Sequence, residues 1–383
     1  MKILHTFIVF SIEIGGGTSD LMYKICKAQA KAGLKPSILT GDYQFDTKLA
    51  NSLKGVNFHP EKTYFHKFGF SIMPGLISWC RKNLKDYDIV HMHAYRTFQN
   101  LVVYYYSKKF NIPIVMDAHG SVPYFKNKIR IKKFFDLIIG KTILRNSSLL
   151  IAETQIGVDE YIELDGKLAE KQIEILSPPF DTDEYKDLPV KGDFRKKYNI
   201  SKEEKVISFL GRVHFIKGND FLIKGFASYV KNNSNSKLVI IGPDDGHMDE
   251  CKNLVKQFEI EKNVIFTGFL GGEYKNSALL DSDIVVQLSR QEQGAWAPLE
   301  AVLCGTPIIV TEHTGTGEDI KRMDAGYLVK FDDVEGLSSL FSSIFENYNE
   351  ALEKTYSAKL FIENNLSFNH RVDEYTYLYK QYL

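Results

Sequence analysis

The sequence predicts two α/β domains in series, each a doubly wound parallel sheet with helices on both faces. Short apolar runs alternate with longer amphipathic ones from end to end, which is the pattern of parallel α/β units. A stretch with three prolines and many charges, SPPFDTDEYKDLPVKGDF, interrupts that alternation at 177–194. The alternation then restarts. At 383 residues the chain has room for about two domains, each with a core of its own.

In order along the first half, strands are expected near 2–10, 36–40, 88–94, 113–118, 148–153 and 173–177, with helices near 19–32, 97–110 and 128–145. The N-terminal run MKILHTFIVFSIEI has the look of a short signal peptide. Glu13 closes it, however, no A-x-A site follows and a glycine-rich turn comes next, so a buried first strand is expected. In the second half, strands are expected near 205–211, 237–242, 264–268, 284–288, 307–311 and 326–331. The final segment, LSFNHRVDEYTYLYKQYL, is helix-compatible and can pack back onto the first domain.

Composition excludes several classes. A hydrophobic fraction of 44% with 25% charged residues is that of a globular chain, not a disordered one. No run reaches the ~18 apolar residues that span a bilayer, and no short repeat suggests a solenoid. Cys26, Cys80, Cys251 and Cys304 are far apart, with no CxxC pair. That spacing argues against a disulfide framework or a zinc site and fits a reducing, cytoplasmic setting. Net charge is zero, but residues 1–180 hold 24 Lys and Arg against 16 Asp and Glu. The basic half suits either an anionic partner or plain solvated lysines. No nucleic-acid partner is expected.

Several motifs carry possible chemistry. The first strand runs into Gly15-Gly16-Gly17-Thr18-Ser19-Asp20 and then a helix. Glycines let a ligand approach the backbone, and a helix N-terminus attracts phosphate or sugar oxygens. It is not the GxGxxG fingerprint, because Asp20 stands where the third glycine belongs. A plain tight turn is the alternative. In the second half a strand ends at Gly211, and Arg212 and Lys217 follow five apart before Gly218. Two cations at the carboxyl end of a parallel strand suit a diphosphate, with solvated cations as the alternative.

The stretch LSRQEQGAWAPLEAVLCGTPIIVTEHTGTGEDI places Glu292 just before, and Glu300 inside, a helix expected near 296–304. Eight positions is slightly over two helical turns, so one carboxylate can meet a ribose diol and the other a hexose diol. Gly294 and the N–H groups after it can meet phosphate oxygens. On spacing alone, two surface glutamates are the simpler reading.

This segment resembles the E-x7-E region of retaining GT-B glycosyltransferases, family 4. Ser289, Glu292, Leu299-Glu300-Ala301 and Cys304-Gly305-Thr306-Pro307 match that family in order and spacing. GRVHFIKG resembles its diphosphate element, Gly15–Gly17 its N-terminal glycine loop, and DIVHMHAY and DAHG its strand ends bearing His93 and His119. The resemblance covers nearly the whole chain. It implies two Rossmann-like domains facing across a cleft: residues 1–185 with the returning helix 366–383 on the acceptor side, and 186–365 on the nucleotide-sugar side. It implies Glu300 on the ribose, Arg212 and Lys217 on the diphosphate, Glu292 on the donor sugar, and His119 on the sugar or in proton movement. Gly16, Gly17, Gly211, Gly294, Ala295 and Trp296 would line the donor, and Thr18 and His93 the acceptor side. Gly317 and Glu318 match the loop that closes over the nucleotide. Gln293-Gly294-Ala295-Trp296 departs from the usual Gly-Phe-Gly-Leu, so the donor hexose does not carry over.

The implied activity is retaining transfer of a hexose from a nucleoside diphosphate sugar, UDP-sugar foremost, with no metal or other cofactor. The acceptor would be a saccharide or lipid-linked hydroxyl in polysaccharide, glycolipid or glycan assembly. Two rivals remain: a nicotinamide dehydrogenase with Asp42 on the ribose, and a silent nucleotide-sugar binder. Asp281-Ser282-Asp283 spells a DxD metal motif but lies at the wrong end of its strand. His91 and His93 are expected on opposite faces of a strand, unable to share an ion, with His91 in the core. Tyr104–Tyr106 is expected to pack within a helix. Residues 126–145 hold seven cations and one acid with apolar residues at helical intervals. They form either a packed helix with a wet basic face or an amphipathic helix for the inner face of an anionic membrane.

Overall fold

The computed structural model describes all residues except 68–69, 125–128, 178, 293, 295 and the side chain of 369. The chain forms two compact units, Met1–Phe180 with Leu366–Leu383, and Asp181–Asn365.

In the first unit the strands are β1 (Lys2–Val9), β2 (Lys35–Gly41), β3 (Asn57–Glu61), a short antiparallel hairpin of β4 (Phe65–Lys67) and β5 (Phe70–Ile72), β6 (Ile89–His93), β7 (Ile114–Asp117), β8 (Leu149–Ala152) and β9 (Ile173–Ile175). Apart from the hairpin they form one seven-stranded parallel sheet in the order β3-β2-β1-β6-β7-β8-β9. Seven of the eight residues of β1 are buried. Helices cover both faces of a parallel sheet, so a central strand reads as a continuous apolar run. Sequence periodicity misses β3 and the hairpin, whose residues are mostly half-buried or exposed and carry no such run.

The second unit repeats the plan with β10 (Lys205–Leu210), β11 (Ser236–Ile241), β12 (Val264–Gly268), β13 (Ile284–Gln287), β14 (Ile308–Thr311) and β15 (Tyr327–Val329), in the order β12-β11-β10-β13-β14-β15. In each sheet the order reverses beside the first strand, between β1 and β6 and between β10 and β13. A doubly wound sheet opens its ligand crevice at that switch, at the carboxyl ends of the strands.

The C-terminal helix Phe368–Lys380 packs on the helix Ile12–Lys31 of the first unit. The two places where the chain changes unit are stitched together: Phe180 N donates to Leu366 O at 2.8 Å and Phe368 N to Phe180 O at 3.1 Å. All four cysteines are buried free thiols. Among the described residues no helix is long and apolar enough to cross a membrane.

Candidate functional site

At the carboxyl end of β1 the glycine run is not a loop before a helix. The helix already begins at Ile12 and is broken at Gly16, whose φ of 55° and ψ of −142° only glycine adopts without strain. Ser19 Oγ donates to Val9 O at 2.9 Å and draws the helix onto the strand end. A Cβ on Gly15 would come within 1.9 Å of Ser19 Oγ, so close packing explains that glycine. Gly17 is exposed, while Gly16 and Thr18 are half-buried.

Next to it lies a row of imidazoles. His5 of β1 pairs in register with His91 of β6. Side chains alternate along a strand with a period of two, so His91 and His93, two apart, share a face. The expectation of opposite faces is therefore wrong, and their rings stack with centroids 4.2 Å apart. His91 is core, as expected, and fully buried like His5 and His93.

A line of hydrogen bonds threads these rings. His5 Nε2 lies 2.8 Å from Gln29 Oε1, His5 Nδ1 lies 2.9 Å from His93 Nε2, and His93 Nδ1 lies 2.8 Å from His119 Nε2. His119 Nδ1 then meets Glu153 Oε1 at 3.0 Å and Asp117 Oδ1 at 3.2 Å. With Gln29 Oε1 as acceptor, His5 donates from Nε2 and accepts at Nδ1 from His93 Nε2, while at the other end His119 Nδ1 donates to the carboxylates. Burial opposes a charge on His119, but the Asp117 and Glu153 carboxylates outweigh it and raise its pKa. His5, buried without a carboxylate, is pushed down to about 4, and burial lowers His91 and His93 well below the ordinary value too. His119 also sits at a φ of 45°, a conformation a side chain rarely takes. Gln29 and Glu153 belong to no motif that sequence reading singles out, and Asp117 opens DAHG, where only His119 is read as functional.

Beyond β6, Arg96 grips Asp136 through Nε and Nη2 at 3.0 and 2.8 Å and donates to the carbonyls of Ser121 and Val122 at 2.6 and 2.8 Å. Asp136 opens a π-helical turn, Asp136–Gly140, in the middle of the basic helical segment. Ile131, Phe134, Leu137 and Ile138 of that segment are 66%, 64%, 82% and 59% exposed. The face turned to solvent is therefore apolar as well as basic. Residues 126–128 lie outside the described residues. Tyr106 packs inside its helix as expected, whereas Tyr105 is exposed.

In the second unit, Gly211, Arg212 and Lys217 follow the carboxyl end of β10. The crossing backbones need glycine. A Cβ on Gly218 would lie 1.9 Å from Leu288 O, and one on Gly242 1.9 Å from Gly211 O. Lys217 Nζ pairs with Glu292 Oε2, and Ser289 Oγ donates to the same oxygen at 3.2 Å. Glu292 O accepts from Gly315 N at 2.7 Å, tying the loop to the next helix. Glu300, buried on the helix Trp296–Leu303, pairs with Lys275 Nζ at 2.7 Å. Arg212, 58% exposed, pairs with Asp245. Lys217, Glu292 and Ser289 are thus brought together, while Glu300 sits in a second pair with Lys275. Sequence reading missed Lys275 and Asp245, which come from other connections and belong to no motif.

Gly294 is half-buried and Trp296 begins the helix; 293 and 295 lie outside the described residues. Gly317 and Glu318 are not in a loop but in the first turn of the helix Gly315–Met323. There a Cβ on Gly317 would lie 2.2 Å from Thr311 O. The DxD carboxylates are structural. Asp281 accepts from the N–H groups of Gly192, Phe194 and Arg195, and Asp283 from Val206 N and Arg195 Nη2. Asp42 accepts from Thr63 N at 2.7 Å.

Comparison with known proteins bears on this geometry. Residues 15–184 match the family model Glycosyltransferase Family 4, and 190–368 match Glycosyl transferases group 1. An uncharacterised glycosyltransferase of Methanocaldococcus jannaschii is 33% identical over 130 residues, 34% of this chain and 33% of that protein. The mannosylfructose-phosphate synthase of Agrobacterium fabrum is 31% identical over 184 residues, 45% of this chain and 39% of its own length. The matched part thus spans well under two thirds of these relatives. Anabaena HepE, solved with UDP and glucose, superposes over 100% of both chains with a TM-score of 0.81 at 16% identity. Nothing in these matches supports a nicotinamide dehydrogenase. The two family models together span nearly the whole sequence, and the chain belongs to the family 4 glycosyltransferases of GT-B fold.

Proposed function

We propose that the protein transfers a hexose from a nucleoside diphosphate sugar, a UDP-sugar foremost, to a saccharide or lipid-linked hydroxyl with retention of configuration. The observation that carries this reading is the pairing of Lys217 with Glu292 and of Lys275 with Glu300 beyond the carboxyl ends of β10, β12 and β13. The diphosphate takes Lys217 and Arg212 from their carboxylates. Glu292 then turns to the sugar hydroxyls, and Glu300 holds the ribose. Charge grows on the leaving phosphate as the bond to the anomeric carbon breaks, so these cations stabilise the transition state more than the ground state. The acceptor oxygen bonds to that carbon on the same face, and its proton passes to the departing phosphate oxygen. No metal or cofactor takes part in this step. HepE, a protein of like fold, has been solved with UDP-glucose bound.

The acceptor side works at an anionic membrane surface, on the cytoplasmic face, in surface polysaccharide, glycolipid or glycan assembly. Exposed Ile131, Phe134, Leu137 and Ile138 beside Arg130 and Lys133 support this, because apolar insertion and attraction to acidic lipid act together. Sedimentation with acidic but not with zwitterionic vesicles, lost in Leu137→Asp, is the expected result.

The test of the activity is a thermal-shift screen of UDP-, GDP- and ADP-sugars without metal, followed by product analysis with the best donor. A ligand at a hundred times its Kd stabilises the native state by about 2.7 kcal/mol. One donor should raise Tm and lose that effect in Glu300→Ala and Arg212→Ala, with slow donor hydrolysis or transfer. Binding without either reaction would mark a silent binder, and no shift with any nucleotide sugar would remove the reading.

A further inference from the structure

The buried imidazoles His5, His91 and His93 serve no step of the proposed transfer, and their arrangement is that of a ligand set. One nitrogen from each ring lies within 4.8 Å of the other two. The opposite nitrogen of each ring is already held: His5 Nε2 by Gln29 Oε1 at 2.8 Å, His93 Nδ1 by His119 Nε2 at 2.8 Å, and His91 Nδ1 by the Tyr379 hydroxyl at 2.6 Å. A histidine that binds metal characteristically has its far nitrogen fixed in this way by a second residue. The nitrogens left over are His5 Nδ1, His93 Nε2 and His91 Nε2. The first two lie 2.9 Å apart, and His91 Nε2, fully buried, has no hydrogen-bond partner among the described residues.

That orphan decides between two accounts of the cluster. Without an ion, one proton between His5 and His93 satisfies those two rings, and His91 Nε2 is left unpaired, its lost hydration unrepaid. With an ion in place of that proton, all three inner nitrogens offer lone pairs to it. The three outer nitrogens then donate to Gln29 Oε1, the His119 ring and the Tyr379 oxygen, and no ring nitrogen of the triad is left unpaired. The Asp117 and Glu153 carboxylates, one ring further on against His119, offset a double positive charge.

We propose that His5, His91 and His93 bind one first-row transition-metal cation, with Zn2+ foremost, as a structural pin inside the first unit. Three imidazoles suit zinc, copper or nickel and not magnesium or calcium. The ion joins β1 to β6 and, through Tyr379, fixes the C-terminal helix. All three rings are fully buried, so the ion enters while the chain folds, exchanges slowly afterwards and takes no part in sugar transfer.

The test uses the full chain without an affinity tag, unfolded and refolded in Zn2+ or in Co2+ as a spectroscopic stand-in, then desalted. About one ion per chain is expected after refolding, with Co2+ giving the visible bands of a nitrogen-ligated, low-coordination site. Loading should vanish in His91→Gln and His5→Gln and persist in Glu153→Gln, which alters the neighbouring Asp117–His119–Glu153 group and leaves the triad intact. Those two histidine variants risk misfolding, so the wild type decides first. A chain that refolds to its native spectra with less than about a tenth of an ion overturns the proposal. Equal loading of wild type and His91→Gln, or loss confined to Glu153→Gln, overturns it as well.

Discussion

The two units share a topology and differ at the strand ends where it opens. In the first, the polar groups are sealed: His5, His91 and His93 are fully buried, and Arg96 and Asp136 are 9% and 1% exposed. In the second, acids and bases meet partly in solvent, with Lys217 and Glu292 19% and 18% exposed and Arg212 58% exposed. Sealed groups hold one another in fixed partnerships, because any unpaired member bears the full cost of lost hydration. Open pairs are held weakly and can be exchanged for a ligand. The same fold thus builds a rigid edge in one unit and an exchangeable one in the other.

The sharpest way to break this contrast is Asp136→Asn. It leaves the buried Arg96 charge facing only neutral oxygens, the new amide and the Ser121 and Val122 carbonyls, and losing the charged partner of a buried pair costs about 3–5 kcal/mol. Urea unfolding should show that loss in the midpoint. A change below about 1 kcal/mol would mean that this edge behaves like a surface pair and is not sealed. Next in size is Lys217→Ala in the open edge. Removing one donor that meets developing charge lowers turnover by about 10²–10³-fold. Stability should change far less, since the pair it breaks is partly solvated. Single-turnover transfer measures the first and thermal melting the second. A large drop in stability with transfer intact would reverse the roles assigned to the two edges.

Much of this was legible in the sequence, for physical reasons that also explain what was not. Central parallel strands such as β1 are buried on both faces and read as apolar runs, and the edge strands β9 and β12 are only half-buried but keep short Ile- and Val-bearing runs, so twelve strands are legible. β3 and the hairpin β4–β5 lie toward solvent and carry no such signal. Glu292 and Glu300 were visible because they belong to one helix start and its preceding loop. Lys275 and Asp245 were not, because their partners come from other connections and pairing across a sheet edge leaves no spacing in the chain. His5 was within reach. A histidine on β1, taken with His91-x-His93 on a strand expected beside it and with a period of two applied correctly, places three rings on one face. The error over His91 and His93 was one of geometry and not of missing information.

A smaller effect governs acid stability in both units. Each has an aspartate held by an arginine: Arg145 Nε and Nη2 meet Asp165 at 2.5 and 2.9 Å, and Arg290 Nη1 and Nη2 meet Asp220 at 2.8 and 2.6 Å. Hydrogen bonding from Arg145 lowers the Asp165 pKa, while for Asp220 burial pulls upward and Arg290 outweighs it. Both folded values lie below the ordinary 3.8. Their stabilisation is therefore present above that pH and lost as pH falls through the folded values. Urea midpoints at pH 5 and pH 3 should fall less steeply in Asp220→Asn than in the wild type. An unchanged slope would show that Asp220 is protonated alike in the folded and unfolded chain.

The smallest effect comes from the most open pair of the site. Asp245 holds the Arg212 guanidinium in solvent, so Asp245→Ala should change stability by no more than about 0.5 kcal/mol. Its consequence for the donor has the opposite sign to that of every other substitution in the site. With Asp245 gone, Arg212 has lost a competing carboxylate, and the diphosphate no longer has to displace it. Donor affinity should rise a few-fold at low salt, with the gain fading as added salt screens the exposed charges. Isothermal titration with the donor at two ionic strengths reads this directly. Weaker binding in Asp245→Ala would mean that Asp245 orients Arg212 toward the ligand and does not compete for it. The open edge of the second unit would then be as pre-set as the sealed edge of the first.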